Sequence, residues 1–226
     1  MWRPSINAVT NLFLQTNCPL CDRPTAQEFC RDCWRQVLHC ISEKPAAPTR
    51  DALPVLALGI YQRHLKRAIA ALKYNDNRHL AYPLGKALGE RWQQFPLSQN
   101  KSPWVVPIPL HADKLRERGF NQAELLADAF CQQTGLRLAA KGLVRQRATL
   151  PQFGLGVQER TQNLTGAFSL GSGLRRRRST QPVLLLDDIY TTGTTVRTAA
   201  AVLRRQGFSV CGVAVIAQAI AERSRI

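Results

Sequence analysis

Val183-Leu184-Leu185-Leu186-Asp187-Asp188-Ile189-Tyr190-Thr191-Thr192-Gly193-Thr194-Thr195 decides how this chain is read. Four apolar residues run into two carboxylates, then into a hydroxyl-rich loop around one glycine, then into a helical pattern. That order belongs to a buried strand delivering acidic groups to the carboxyl edge of an open α/β sheet, where ligands lie in the crevice beyond the strand ends. Asp187 and Asp188 can accept hydrogen bonds from two vicinal hydroxyls. Thr191, Thr192, Thr194 and Thr195 offer hydroxyls and backbone N–H groups, and the helix behind them adds its positive end. Gly193 has no Cβ to keep the backbone away from a ligand. Diol acceptors beside a phosphate cradle describe a ribose 5-phosphate site. The alternative is a plain strand end with solvated aspartates and a threonine-rich helix cap, and the full thirteen-residue string favours the ligand site.

Outward from this string the pattern is regular. A strand over Pro182 to Leu186 leads through the loop into a helix over Thr195 to Gln206, with Val196, Ala199, Ala200 and Leu203 on one face. Gly207 stands where a helix C-terminus favours glycine, and Ser209 to Ala217 returns as a strand. Upstream, Val55 to Tyr61 reads as a strand. His64 to Lys73 and Tyr82 to Gln94 read as helices. Val105-Val106 starts a buried strand that breaks at Pro107 and Pro109. A helix from about Asn121, ended by Gly135, completes the core. Cys131 and Cys211 fall inside these elements and read as core residues.

The N-terminal region has a different character. Cys18-x2-Cys21 and Cys30-x2-Cys33 are two thiol pairs separated by eight residues. Four thiolates so spaced are the ligand set of a tetrahedral, structural zinc; disulfides or a redox pair are the rival reading. His39 and Cys40 are read as bystanders. Residues 1–45 thus form a zinc-knuckle module, with a linker rich in proline and alanine over Ser42 to Pro54, and residues 46–226 form the α/β domain.

The chain of 226 residues carries 31 Lys and Arg against 15 Asp and Glu, a formal charge of +16. Such a surface attracts phosphorylated metabolites or nucleic acid. Its clusters are Lys114/Arg116/Arg118, Arg145/Arg147 and the run Arg175 to Arg178, the last reading as an exposed loop rather than a DNA contact. The longest apolar stretch, Phe208 to Ile220, is interrupted by Ser209 and Gln218 and falls short of the roughly 18 residues a membrane span needs. No signal peptide or membrane span is expected, which places the chain in the cytoplasm with reduced cysteines.

Taken together, these segments resemble the ComF/GntX-like proteins, whose larger domain has the type I phosphoribosyltransferase fold. The resemblance rests on the Asp-Asp-Thr-Thr-Gly loop, the two cysteine pairs, Val105-Val106-Pro107-Ile108-Pro109-Leu110, Arg116-Glu117-Arg118-Gly119-Phe120-Asn121-Gln122, Gln152, and Glu159-Arg160-Thr161-Gln162-Asn163-Leu164-Thr165-Gly166-Ala167-Phe168. It implies an open, mostly parallel twisted sheet flanked by helices. It also implies that Asp187, Asp188 and Thr191 to Thr195 bind phosphoribosyl pyrophosphate (PRPP) with Mg2+. The segment Leu110 to Gly119, with Lys114, Arg116 and Arg118, becomes the pyrophosphate loop. The stretch from Leu143 to Phe168 becomes a flexible flap offering Arg145, Arg147 and Arg160. Purine-salvage members carry an aspartate where this chain has Thr191, which argues against purine salvage. The resemblance connects the chain with natural competence and the use of extracellular DNA. Three readings stay open: a PRPP-binding protein in that role, an active phosphoribosyltransferase on an unassigned acceptor, and a zinc-containing nucleic-acid adaptor. Competence-machinery partners and a homo-oligomer are also left open.

Overall fold

A computed structural model describes residues 16–41, 53–74, 77–95, 102–146, 166–175 and 181–219. The first element is a short hairpin, in which β1 (Thr16–Asn17) pairs antiparallel with β2 (Pro24–Thr25), followed by helix α1 (Arg31–Leu38). Strand β3 (Val55–Ile60) opens the main sheet and leads to α2 (Arg63–Lys73), a 3-10 turn (Arg78–Leu80) and α3 (Ala81–Gln93). Next come β4 (Trp104–Pro107), α4 (Ala112–Arg118), α5 (Gln122–Thr134) and β5 (Arg137–Leu138). A ribbon of β6 (Leu143–Arg145) and β7 (Phe168–Leu170) and the short α6 (Ser172–Arg175) precede β8 (Val183–Tyr190), α7 (Thr194–Arg205) and β9 (Val210–Gln218).

The main sheet has the order β3-β9-β8-β4-β5 and every neighbouring pair is parallel. Parallel strands are buried on both faces, so they read as continuous apolar runs. Pleat alternation assigns the faces. Leu184 and Leu186 of β8 join Ala214 and Ile216 of β9 in one cluster with Leu65, Ile69, Leu84, Leu126 and Phe130 from α2, α3 and α5. Val183 and Leu185 join Val213 and Val215 on the other face, under Val196, Ala199 and Leu203 of α7. The sheet is open and flanked by helices, as expected from the sequence.

The thiol-bearing module is fastened to this core. Cys18, Leu20, Phe29, Cys33 and Val37 share one apolar cluster with Leu56, Leu58 and Leu65. Ile41 bridges antiparallel to Gly59, and the Arg67 guanidinium donates to the Leu20 carbonyl. Cys131 and Cys211 are buried in the core, as read from sequence.

Three expectations shift. The strand expected over Pro182 to Leu186 continues to Tyr190, because Asp187, Ile189 and Tyr190 stay in register with Val215, Ala217 and Gln218 of β9. The segment expected as a loop over Leu110 to Gly119 is largely the seven-residue helix α4; His111 caps its start and Gly119, at φ 78°, ends it. The expected flap starts and ends as paired strands, Leu143↔Leu170 to Arg145↔Phe168, while residues 147–165 lie outside the described residues.

Helices α3 and α5 meet at Gly85, where an added Cβ would lie 2.6 Å from the Leu126 carbonyl oxygen and 2.7 Å from Ala129 Cβ. Alanine at an exposed helix position gains up to ~1 kcal/mol over glycine, but here the backbone of α5 must move. Gly85→Ala is therefore expected to lower stability by about 1–3 kcal/mol, read from the midpoint of chemical denaturation. A stabilised variant would contradict the close packing of the two helices.

Candidate functional site

The chain order reverses at β8: α7 carries it to β9 on one side, while β4 lies on the other. Ligands in open α/β sheets bind at such a switch point, outside the carboxyl ends of the strands. Pro107 is opposite Leu186, and the Ile108 N–H donates to the Leu186 carbonyl at 2.8 Å. The end of β8 therefore projects past β4, and both aspartates lie beyond its last residue paired with β4.

The phosphate-cradle half is built by Thr191, Thr192 and Gly193. Gly193 sits at φ 72° as the N-terminal cap of α7, and a Cβ there would collide with the Tyr190 hydroxyl and lie 2.8 Å from an Arg197 nitrogen. Only glycine adopts this backbone without cost. The hydroxyls of Thr192 and Thr194 are 2.8 Å apart, and Arg197 donates through Nη1 to the Thr192 carbonyl at 2.8 Å. A helix N-terminus, a row of hydroxyls and an exposed guanidinium on the first turn together suit a phosphate.

The acidic half is asymmetric. Asp188 is 5% exposed and points to the face of α2 and α5. Its Oδ2 is 2.6 Å from Lys73 Nζ and accepts from Gln122 Nε2 at 3.2 Å. Gln122 in turn accepts a hydrogen bond from Arg118 through its Oε1. Asp187, the preceding residue in the pleat, accepts the Asp188 N–H through Oδ1 at 2.8 Å. Burial pushes the Asp187 carboxyl well above the usual carboxylate range, and the neighbouring charge of Asp188 pushes the same way.

Of the three basic residues assigned to a pyrophosphate loop, Arg118 alone connects with the acidic pair. Lys114 pairs with Glu117 at 2.7 Å and Arg116 with Asp113, all four on exposed α4 side chains. Leu110 is half-buried just before that helix. Arg145, from the ribbon, is half-buried over the Phe168 ring at 5.6 Å, and the charge of Asp187 reaches it. Arg147 and Arg160 lie outside the described residues, as do Arg176 to Arg178.

At the N-terminus the Sγ atoms of Cys18, Cys21, Cys30 and Cys33 all lie within 4.8 Å of one another, and Cys21 and Cys30 approach to 3.6 Å. Four thiolates at Zn–S distances of about 2.3 Å stand roughly 3.8 Å apart, so the cluster fits one tetrahedral zinc. The Cys21 and Asp22 N–H groups both turn back to the Cys18 carbonyl. Arg23 donates through Nε to Cys21 at 3.3 Å, which lowers that thiol to about 6, whereas burial pushes Cys33 up. Cys40 stays outside the cluster, donating to the Gln36 carbonyl at 3.4 Å.

No family model matches the chain. It is 27% identical to DNA utilization protein YhgH of Escherichia coli K12 over 202 residues, covering 84% of this chain and 85% of that one. It is 26% identical to competence protein ComFC of Bacillus subtilis over 196 residues, 84% and 72% of the two chains, and 27% identical to competence protein F of Haemophilus influenzae over 175 residues, 75% and 73%. The chain is thus similar to the ComF proteins, which are named for competence and DNA utilization. Among solved structures, the chain aligns with adenine phosphoribosyltransferase of Trypanosoma brucei at 9% identity and a TM-score of 0.41, covering 86% and 87% of the chains. Orotate phosphoribosyltransferase of Aeropyrum pernix gives 16% identity and 0.33, covering 68% and 64%. Scores of that size carry no argument about chemistry.

Sequence reasoning missed Lys73 and Arg197 as residues of the candidate site, and quoted Gln122 without a role. Arg197 was findable three positions after Thr194, one turn along the same helix face. Lys73 carried no such signal, since it lies over a hundred residues from Asp188.

The raised Asp187 carboxyl has a pH consequence. Between the ordinary carboxylate range, about 4, and its own higher value, the native state holds a proton that the unfolded state has lost. Stability therefore falls as pH rises through that window. Asp187→Asn removes the penalty, so its stability relative to wild type should increase from pH 4 toward neutrality in paired urea titrations. Protonation of the cysteine cluster affects both proteins alike and cancels. Parallel stability curves would contradict the raised carboxyl.

Proposed function

We propose that this protein binds PRPP, or a closely related ribose phosphate, with Mg2+ at the carboxyl end of β8, and that it serves the uptake or use of DNA, as the names of its relatives state for them. The observation that carries the binding reading is the order of groups at the end of β8. Asp187 and Asp188 lie in the last four residues of β8, and the Thr191–Thr195 hydroxyls and the start of α7 follow directly after Tyr190. Acceptors for vicinal hydroxyls and a cradle for a phosphate thus follow one another along a single strand-loop-helix unit.

Oδ2 of Asp188 already takes Lys73 and Gln122, so a Mg2+ ion, which keeps several waters, would find at most a few protein oxygens here and would serve to offset phosphate charge. Thr191 is exposed and supplies no carboxylate base on the acceptor side, which favours binding or regulation over purine salvage. The module of residues 1–45 holds one structural zinc through Cys18, Cys21, Cys30 and Cys33. Four thiolates leave no open position on the metal, and the reduced thiols suit the cytoplasm. No helix among the described residues is long and apolar enough to cross a membrane.

Calorimetric titration with Mg-PRPP is expected to give one site per chain, weakened at least about tenfold in Asp188→Asn, since a lost hydrogen bond to a charged group costs roughly 1.5–3 kcal/mol. No binding to the wild-type protein would sink the reading. Deleting the gene in its own host should reduce the use of supplied DNA, and an Asp188→Asn allele should fail to restore it.

Native mass spectrometry should find one zinc per chain. Cys33→Ser should lose it and lower the melting temperature, because the knuckle residues share their cluster with Leu56 and Leu65. A wild-type mass without metal would overturn the zinc assignment.

A further inference from the structure

The segment Arg118-Gly119-Phe120-Asn121-Gln122 entered as a signature without a function. Its geometry supplies one. Gly119 turns the chain at φ 78°, ending α4 and releasing the backbone toward α5. Asn121 caps α5, accepting from the Ala123 N–H at 3.1 Å, while its Nδ2 donates to the Ile108 carbonyl at 3.1 Å. That second bond fastens the start of α5 to the chain leaving β4, beside the end of β8. Gln122 is the first residue of α5 and is 5% exposed. Its amide oxygen is taken by Arg118 and its amide nitrogen donates to Asp188 Oδ2. An amide so engaged has one orientation, because the guanidinium can only donate. Arg118 is itself held over the Tyr74 ring at 5.7 Å.

Lys73 closes the arrangement from the opposite side. It is the last residue of α2, a helix whose buried Leu65, Ala68, Ile69 and Leu72 fix its position on the sheet. Its ammonium reaches the same Oδ2 at 2.6 Å. An ammonium and an amide from two helices thus converge on Oδ2 of a nearly buried carboxylate. We propose that Lys73 and Gln122 are positioning residues for the sugar-phosphate site: they hold Asp188 by Oδ2 so that its other oxygen is presented to a ligand hydroxyl. Arg118 acts one step further out, by fixing the Gln122 amide. This deepens the PRPP-binding reading and rests on it. The other groups around the carboxyl are Tyr74 beside Lys73 and Asp187 on the same strand, with Arg145 toward Asp187 from the ribbon.

The role separates from simple packing by coupling and rescue. Lys73→Met is expected to weaken Mg-PRPP binding by about 10- to 100-fold, the range typical when a partner that orients a binding ligand is removed. Lys73→Arg, which keeps a donor and the charge, should recover most of that loss. The double variant Lys73→Met/Asp188→Asn should bind no worse than Asp188→Asn alone, because Lys73 acts through that carboxylate. Losses that multiply in the double variant, or a failed arginine rescue with the fold intact by circular dichroism, would overturn the proposal. A second readout needs no ligand. In protein labelled with 15N-lysine, the ammonium of Lys73 should give a slowly exchanging signal in the wild type that is lost in Asp188→Asn. Its persistence there would remove the ion pair as a positioning device. If the wild type binds no Mg-PRPP, the sugar-phosphate reading fails by itself, and the ammonium signal still decides whether Lys73 holds Asp188.

Discussion

Everything at the candidate site follows from the burial of β8 on both faces between β4 and β9. A strand so placed cannot expose a side chain to water along its length, and Val183 to Leu186 comply, none more than 1% exposed. The same pairing carries the strand beyond its apolar part, since Asp187, Ile189 and Tyr190 keep their register with β9. Two carboxylates are thereby held at the rim of the sheet by backbone hydrogen bonds instead of hanging from a loop. Their rigidity comes from the ladder and their chemistry from the rim.

That placement creates an electrostatic problem which the surrounding helices solve unequally. Two acids on consecutive pleat positions go to different faces, and desolvation disfavours charge on either. On the α2 and α5 face a lysine and an amide meet Asp188. On the other, Asp187 receives the backbone N–H of its neighbour, and its carboxyl is driven upward by burial. The result is one fixed acceptor and one easily protonated acceptor, side by side.

How much of this was legible depends on sequence separation. The β8–α7–β9 unit was readable because its signals are local: an apolar run, a glycine at a turn, a helical stripe, another apolar run. The four cysteines were readable because metal-ligand spacing is local too, and the structure brings their sulfurs within 4.8 Å. The end of β8 was misplaced by four residues because aspartates disfavour strands on propensity, whereas pairing with β9 overrides it. Helix α4 was misread because five of its seven residues are charged and it buries none of them, so no apolar stripe marks it. Lys73 and Gln122 were hidden for a stronger reason. Their partner lies in a distant segment, and only the packing of α2 and α5 against one sheet face brings the three together.

The same packing ties the N-terminal module to the site. Helix α2 takes Leu65 and Ile69 into the cluster that contains Cys33, Val37 and Leu20, and Arg67 on its outer side holds the Leu20 carbonyl. Its last residue is Lys73. One helix is therefore clamped by the thiol cluster near its start and by a buried carboxylate at its end. Since Lys73 can meet Asp188 only where α2 sets it, the knuckle that holds α2 also bears on the position of the ammonium. A metal held by the four thiols would therefore do more than order its own module, because it would steady a helix whose last side chain meets Asp188.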